Sequence, residues 1–300
     1  MNVSSPIASI ELSPLAGQPG ATRLFGVMVT STTAHQHLHM LSIAWLRELV
    51  RDRQLVVLRG FESFDDADHL TRFCATLGTI MMWPFGAVLE LVEHANPEDH
   101  IFANSYVPLH WDGMYLDTVP EFQVFQCVRA PGMDQGGRTT FCSTTAALQI
   151  SSAETRELWS RAHGTYQRSV KLYSNKARAS IIEPHPRRGH PVLRFCEPPI
   201  EGDRNFINPS TYEFGGIQDN ERQPLLDSLR KSLYDPRAHY AHRWQTGDVV
   251  IADNFTLIHG REAYAGNSGR HLRRVHIHSE PELRNPHMLP SDQATPSHES

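Results

Sequence analysis

The 300-residue chain has the composition of an ordinary globular protein. Hydrophobic residues make up 40% and charged residues 20% of it, which excludes a disordered chain. The formal net charge is −5 and the basic residues are scattered, so we expect no nucleic-acid partner. No apolar run approaches the roughly 20 residues that span a bilayer, and residues 1–12 lack the pattern of a signal peptide. The four cysteines are widely separated, so we expect reduced thiols and a cytoplasmic protein without a membrane partner.

The hydrophobic pattern predicts a few helices and many short strands. Helical spacing is found over residues 41–53, 65–77, 145–150, 153–162 and 224–233. Strand character is found over residues 54–60, 120–130, 138–142, 192–196, 239–244, 249–252 and 273–278. Residues 83–115 follow no regular pattern, which is typical of a functional segment when it lies inside a compact domain.

This pattern predicts a mainly β protein with flanking helices (α+β), built on a barrel or jelly roll. A doubly wound sheet is not expected, because strands and helices do not alternate regularly and no G-x-G-x-x-G occurs. The sequence after Glu280 is rich in Pro, Ser and His. We therefore expect one domain over residues 1–285 and a disordered tail over residues 286–300.

One short motif points to a metal. His110 and Asp112 lie two residues apart in an extended segment, so their side chains share a face. Two ligands rarely hold a catalytic metal, and the best third ligand is His259, which follows a predicted strand and precedes a glycine. Two histidines and one carboxylate are the ligand set of non-haem Fe(II) oxygenases. Three positions then stay open for a chelating co-substrate and dioxygen.

Basic and hydroxyl side chains complete the pattern. Arg270 and Arg274 lie four residues apart and would share a strand face near the metal. A guanidinium can hold a dicarboxylate through two hydrogen bonds, and the hydroxyl of Thr139 could bind the same group. Two other classes stay open, namely a zinc hydrolase with the same three ligands and a binding module without turnover.

The motifs together resemble the taurine dioxygenase / 2,4-D dioxygenase (TauD/TfdA) family of Fe(II)- and 2-oxoglutarate-dependent oxygenases. The matching features are His110-x-Asp112, Gly136-Gly137-x-Thr139, Trp244 with Gly247-Asp248, Asp253-Asn254-x4-His259, Arg270 and Arg274. A weaker match, residues 11–15 followed by Gly26-Val27, resembles the N-terminal strands of the family.

The resemblance implies a fold, a reaction and residue roles. The fold would be a double-stranded β-helix, the cupin-like jelly roll, and the enzyme an oxidoreductase that uses Fe(II), 2-oxoglutarate and O2. Oxidative decarboxylation of 2-oxoglutarate would be coupled to hydroxylation or desaturation of a small molecule. His110, Asp112 and His259 would be the metal ligands and catalytic residues. Arg270 and Thr139 would bind 2-oxoglutarate, and Arg274 would lie on the substrate side.

A finer resemblance concerns the substrate. Residues 85–94, 99–102 and 107–115 are similar to the isonitrile-pathway oxygenases of the paerucumarin and rhabduscin type, which belong to secondary metabolism. It implies tyrosine isonitrile as the substrate, oxidised by decarboxylating desaturation or without loss of the carboxylate. The alternative is a taurine or alkylsulfonate hydroxylase, from which the sequence departs at residues 83–106, where those enzymes bind sulfonate.

Residues that flank the motif are candidates for substrate binding, although aromatic side chains there can equally belong to the core. They are Asn104, Tyr106, Trp111, Met114 and Tyr115.

Five further histidines are not expected to bind metal. His35, His37 and His39 lack a nearby carboxylate or cysteine in the sequence, so we interpret them as part of a solvated strand or loop. His276 and His278 would support the site from outside the ligand set or lie on the surface. The sequence leaves a homo-oligomer open.

Overall fold

The computed structural model describes residues 9–15, 23–203 and 206–290. The strands are β1 (Ile10–Pro14), β2 (Val27–Ser31), β3 (Leu55–Arg59), β4 (Leu89–Val92), β5 (Val107–His110), β6 (Thr118–Val119), β7 (Phe122–Arg129), β8 (Thr139–Ser143), β9 (His163–Val170), β10 (Tyr173–Ser180), β11 (Ile182–Pro184), β12 (Pro191–Leu193), β13 (Thr211–Gly215), β14 (His239–His242), β15 (Val249–Asp253), β16 (Leu257–Arg261), β17 (His271–Ile277) and β18 (Leu283–Arg284). The helices are α1 (Ile43–Arg53), α2 (Ala67–Leu77), α3 (Thr144–Ile150), α4 (Ala153–Arg161) and α5 (Arg222–Leu233).

Two sheets face each other and form the jelly roll. The major sheet has seven strands in the order β1-β2-β3-β15-β7-β17-β4, and the minor sheet has four in the order β14-β8-β16-β5. Within the major sheet β2 and β3 run parallel, whereas the other pairs are antiparallel. A three-stranded sheet, β10-β9-β13, and two short strand pairs stand outside them. The predicted mainly β jelly roll with flanking helices is confirmed.

The major sheet is covered on both faces, which explains the near-continuous apolar runs in β3 and β15. On its outer face Val56 and Ile251 pack against apolar residues of α1 and α2. On its inner face Val57 and Val250 share a core with Phe141 of the minor sheet. Alternate residues of each strand therefore point either to the helices or into the space between the two sheets.

Each predicted helix and strand has a counterpart in the structure, but several of the observed strands were not predicted. Residues 83–115, which show no regular pattern in the sequence, contain β4 and β5. The long strand β9 was not predicted either, because its Gly, Gln, Arg and Ser residues have weak strand propensity. Pairing with β10 on one side and β13 on the other supplies the stabilisation that its own residues lack.

The segment after Glu280 is ordered as far as it is described, so the predicted tail is wrong for residues 286–290. Strand β18 pairs with β6, and the backbone N–H of Leu289 donates to the carbonyl of Lys176 at 2.9 Å. The side-chain amide of Asn285 donates to the carbonyls of Gly113, Met114 and Leu116 at 3.0, 3.0 and 2.8 Å. Composition misses this, because specific hydrogen bonds order the segment. Residues 291–300 lie outside the described part.

The cysteines and the helices agree with the expectations from the sequence. All four cysteines are free thiols, and Cys127 and Cys142 are buried as small apolar groups, as predicted from their strands. Among the described residues no helix is long and apolar enough to cross a bilayer.

Candidate metal centre and substrate cavity

Two paired strands bring the predicted metal ligands together. His110 at the end of β5 lies opposite His259 in β16, and their ring centroids are 4.3 Å apart. Asp112 follows β5 in a turn, with Oδ1 at 3.7 Å from Nε2 of His110 and Oδ2 at 3.8 Å from Nε2 of His259. The ligand atoms of the three residues all lie within 4.8 Å of one another. His110 and His259, which are 149 positions apart in the chain, thus belong to one site.

A glycine allows the two strands to approach. A Cβ at Gly260 would lie 2.5 Å from the carbonyl oxygen of Val107 in β5, which is far inside van der Waals contact. The glycine that follows His259 in the sequence is therefore explained by the close approach of the β5 backbone.

The protonation states suit metal binding. Nδ1 of His110 lies 2.9 Å from the carbonyl oxygen of Pro108, so it donates its proton there and leaves the Nε2 lone pair facing the site. Burial, and then His110, lower the pKa of His259 well below its usual range, which keeps that imidazole neutral. Burial would raise the pKa of Asp112, but Arg274, His276 and His259 together hold it well below the usual value. The site offers two imidazoles, of which that of His259 is held neutral, and one carboxylate.

Asp112 is held by residues from several strands. Its backbone N–H donates to Oδ1 of Asn254 at 3.0 Å, and Nδ2 of Asn254 donates back to the carbonyl of Asp112 at 2.9 Å. The side chains of Gln123, Arg274 and His276 lie on its carboxylate at 2.7, 2.9 and 2.7 Å. The supporting role considered for His276 thus corresponds to a direct contact with Asp112, whereas His278 makes no such contact in the described structure. No sequence pattern indicates Gln123, because its proximity to Asp112 depends on strand register.

This donor set fits Fe(II). Imidazole and carboxylate are both good ligands for it, and three ligands on one side leave the opposite side open. The Nε2 atoms of both histidines face the carboxylate of Asp112, and Nδ1 of His259 lies 3.3 Å from the side-chain amide nitrogen of Gln123. The same set can hold zinc, so the donor atoms by themselves do not separate an oxygenase from a hydrolase.

A buried arginine lies near the triad. The guanidinium of Arg270 is 4% exposed, and its Nε donates to the carbonyl of Gly137 at 2.9 Å. Its Nη2 lies 3.4 Å from Oγ1 of Thr139, which also accepts a hydrogen bond from the indole of Trp244 at 3.0 Å. Burial, and then Arg261, lower the pKa of Arg270 to about 9. Within the described residues no carboxylate forms an ion pair with it, so the site fits an anionic ligand such as a carboxylate.

A cavity of about 120 Å³ adjoins His110. The predicted substrate residues Met114, Tyr115 and Arg274 line it. Tyr115 stacks on Tyr173 with ring centroids 5.9 Å apart. Aromatic surfaces and a guanidinium thus meet in one small space beside the triad.

An ion pair forms another part of the cavity wall. Nη2 of Arg168 lies 2.7 Å from both carboxylate oxygens of Asp99, and its Nη1 lies 3.3 Å from Nε2 of His100. Burial, and then Arg168, lower the pKa of His100 to about 3. His100 is therefore neutral near pH 7 and accepts a hydrogen bond from Arg168.

Three other predicted substrate residues lie elsewhere. Asn104 is exposed, and its carbonyl accepts a hydrogen bond from the backbone of Tyr264 at 3.0 Å. Tyr106 is outside the cavity wall, since its hydroxyl accepts a hydrogen bond from the backbone of Ile200. Trp111, which directly follows β5, is 1% exposed and packs in the core on Tyr166. None of these three side chains lines the cavity in the described structure.

The alternating histidines near the N-terminus form a surface feature. His35 and His37 are 86% and 53% exposed, and they contact separate oxygens of Glu62 at 2.6 and 2.7 Å. Their solvated position agrees with the sequence interpretation, but the carboxylate partner was missed because it lies on a distant segment.

The jelly roll and the triad at its mouth define a class of protein, the cupin-like non-haem oxygenases. Within that class the chain belongs to the family described as taurine catabolism dioxygenase TauD, TfdA family, whose profile matches residues 13–276. The predicted family and its enzyme class, the Fe(II)- and 2-oxoglutarate-dependent dioxygenases, are confirmed.

Two relatives and one solved structure match nearly the full length of the chain. The chain is 61% identical over 292 residues to a tyrosine isonitrile desaturase of Erwinia amylovora, covering 97% of this chain and 100% of the relative. It is 58% identical over 288 residues to a tyrosine isonitrile desaturase of Pseudomonas aeruginosa, covering 96% and 99%. A solved structure of PvcB, described as an Fe, alpha-ketoglutarate dependent oxygenase from an isonitrile synthetic pathway, matches with a TM-score of 0.83 at 53% identity, covering 97% and 99%.

Proposed function

We propose that the protein converts tyrosine isonitrile to a vinyl isonitrile in secondary metabolism, with Fe(II), 2-oxoglutarate and O2. The observation that carries the proposal is the aromatic cavity with its two guanidinium groups beside the triad. The near-full-length similarity to two tyrosine isonitrile desaturases supports the same substrate. An aromatic amino-acid derivative that keeps its carboxylate matches such a cavity in chemistry.

In this proposal His110, Asp112 and His259 hold the iron. Arg270 binds the distal carboxylate of 2-oxoglutarate, and Thr139 adds its hydroxyl to the same group. Once bound, Fe(II) with 2-oxoglutarate and O2 supplies the oxidant that removes hydrogen from the substrate. The chain's own residues position the reactants, keep the imidazole of His259 neutral and shield the site from water.

The cavity residues would orient the substrate. The aromatic ring would lie among Tyr115, Tyr173 and Met114, which offer apolar surface. The substrate carboxylate would be attracted by Arg168 and Arg274, the cations of the cavity wall. The carbon next to the ring is then directed towards His110, on the metal side of the cavity.

The proposed reaction predicts a fixed ratio of CO2 to succinate. The substrate loses one hydrogen from the carbon beside the ring, its carboxylate as CO2, and the carboxyl proton. The carbon–carbon double bond forms as the carboxylate leaves. 2-Oxoglutarate loses its own CO2 and becomes succinate, and O2 ends as one oxygen atom in succinate and one in water. The proposal therefore requires two molecules of CO2 for each succinate.

A product screen tests the proposal. Iron-loaded protein is supplied with 2-oxoglutarate, O2 and either tyrosine isonitrile or taurine, and products are measured by mass spectrometry together with succinate and CO2. We expect a vinyl isonitrile and a CO2-to-succinate ratio of two with tyrosine isonitrile, and no coupled turnover with taurine. A ratio of one with a hydroxylated product would show hydroxylation instead. Turnover of taurine alone would favour the sulfonate alternative.

The same assay tests the proposed ligands and the zinc alternative. His110→Ala should abolish succinate formation, because the metal loses a ligand. Circular dichroism should still show a folded protein, because the side chain of His110 is partly exposed and borders the cavity. His39→Ala, an exposed histidine outside the site, serves as the matched control and should keep full turnover. Zinc-loaded protein that releases a hydrolysis product without O2 would contradict the oxygenase.

We also infer a single domain over residues 1–285 that acts in the cytoplasm on a free small molecule. The shared core between the two sheets supports one domain, and the four free thiols support a reducing compartment.

A further inference from the structure

Three N–H donors meet on a single oxygen of Asp112. Nε2 of Gln123, Nη1 of Arg274 and Nε2 of His276 lie 2.7, 2.9 and 2.7 Å from Oδ2. Each oxygen also faces a metal ligand, since Oδ1 lies 3.7 Å from Nε2 of His110 and Oδ2 lies 3.8 Å from Nε2 of His259. The two oxygens differ in their donors, because all three of these N–H groups bind Oδ2 and not Oδ1.

The donors belong to the major sheet, whereas the two histidine ligands belong to the minor sheet. Gln123 in β7 and His276 in β17 are direct partners in the strand register. Arg274 lies two residues before His276 and shares its face, while Val275 and Ile277 point to the helices on the other side. The position of all three donors is thus fixed by the pairing of β7 with β17.

We propose that Gln123, Arg274 and His276 are positioning residues that occupy Oδ2 and leave Asp112 to bind the metal through Oδ1 alone. The proposal rests on the metal site of the proposed function. A carboxylate oxygen has about two lone-pair positions, so three donors on Oδ2 leave none for a metal. One-oxygen ligation keeps three metal positions open, which a chelating co-substrate and dioxygen together require.

In this proposal Arg274 has a second role in addition to lining the cavity. The resemblance to the family placed it on the substrate side, and it does line the cavity. Its Nη1, however, is bound to Asp112. Loss of Arg274 should therefore change the metal site even when no substrate is present, which a purely substrate-binding arginine would not do.

Metal affinity measured without substrate or 2-oxoglutarate tests the proposal. Co(II) is the probe, and its dissociation constant is measured by equilibrium dialysis on the full chain. We expect Arg274→Met and His276→Leu to weaken Co(II) binding about 10- to 100-fold, the range for loss of a group that orients a metal ligand. His276→Gln keeps an N–H donor and should restore most of the affinity.

His271→Leu is the matched control. It lies on the same strand and bears the same substitution, but its ring contacts Glu90 on the surface, so Co(II) binding should not change. If His276→Leu does not fold, Gln123→Leu and Arg274→Met carry the same test. Variants that bind Co(II) as tightly as the wild type would overturn the positioning role. Wild-type protein that binds no Co(II) would instead refute the proposed metal site itself.

Discussion

Arg270 carries a buried positive charge that is hydrogen-bonded to a carbonyl and a hydroxyl and lies 5.6 Å from the centroid of the Tyr264 ring. A buried charge without an ionic partner is costly, and burial already lowers the pKa of this group to about 9. A bound 2-oxoglutarate carboxylate would offset that cost. If Arg270 has the proposed role, its replacement should affect the stability of the ligand-free protein as well as turnover.

Replacement of Arg270 by Met should separate these two effects. The apolar side chain fills similar space without a charge, so the ligand-free variant should melt at the same temperature as the wild type or higher. The concentration of 2-oxoglutarate for half-maximal turnover should rise by about 100-fold, equivalent to about 3 kcal/mol. Thermal melts with and without 2-oxoglutarate provide the measurement, and a ligand-induced shift retained by the variant would place the anchor elsewhere.

At the scale of single residues, the sequence indicated the three candidate ligands and His276 beside them, but it did not indicate Gln123. His110, Asp112 and His259 could be found because the spacing of ligand types carries the signal. Gln123 could not, since a glutamine in a strand has no distinguishing pattern until its neighbour in the sheet is known. Trp111 was misassigned because an aromatic residue beside a motif looks the same in the sequence whether it faces the cavity or the core.

Among the elements, the segment over residues 100–105 depends on one arginine of β16. The guanidinium of Arg261 donates to the carbonyls of His100, Ile101, Ala103 and Ser105 at 3.0, 2.9, 2.6 and 2.7 Å. The same segment brings His100 and Ile101 into the cavity wall. A side chain two residues after a proposed metal ligand thus shapes the substrate side of the site.

Arg261→Met should loosen that segment. Four carbonyl groups lose a charged donor, so we expect a loss of about 3 kcal/mol in the free energy of unfolding. Hydrogen exchange over residues 100–105 should become faster, and the KM for the substrate should rise about tenfold while that for 2-oxoglutarate stays the same. Arg138→Met, which removes an exposed arginine paired with Glu262, should leave exchange in this segment unchanged. Equal exchange in both variants would contradict the role of Arg261.

The elements that the sequence predicted well have strong apolar periodicity, such as α2, or a continuous apolar run, such as β15. Strands that it missed, such as β4, β5 and β9, contain polar residues, glycine or proline and are stabilised by their partners in the sheets. Their order comes from long-range pairing, which local propensity does not record.

For the whole molecule, buried neutral histidines limit stability in mild acid. Burial, and then Arg23, lower the pKa of His239 to about 4 in the folded state, against about 6.5 in the unfolded chain. The unfolded state therefore binds an extra proton between these values. The contribution of His239 is fully present above pH 6.5, falls as the pH drops, and is lost by about pH 4.

His239→Phe should reduce this acid sensitivity. The aromatic ring can occupy the same site beside Tyr234 without titrating. Between pH 7 and pH 5 the wild type should lose about 2 kcal/mol more than the variant in the free energy of unfolding. Urea unfolding at the two pH values measures the difference, with the exposed His39→Phe as the control. The same loss in all three proteins would show that His239 does not contribute.

The contacts of Asn285 bear on when the metal site can be completed during translation. The turn that carries Asp112 is made early in translation, but His259, the strand with Arg274 and His276, and the amide that binds the carbonyls of Gly113, Met114 and Leu116 all emerge much later. A nascent chain that stops short of Asn285 can hold most of both sheets and still lack a finished site. We therefore expect the protein to acquire its metal only after nearly all of residues 1–285 have left the ribosome.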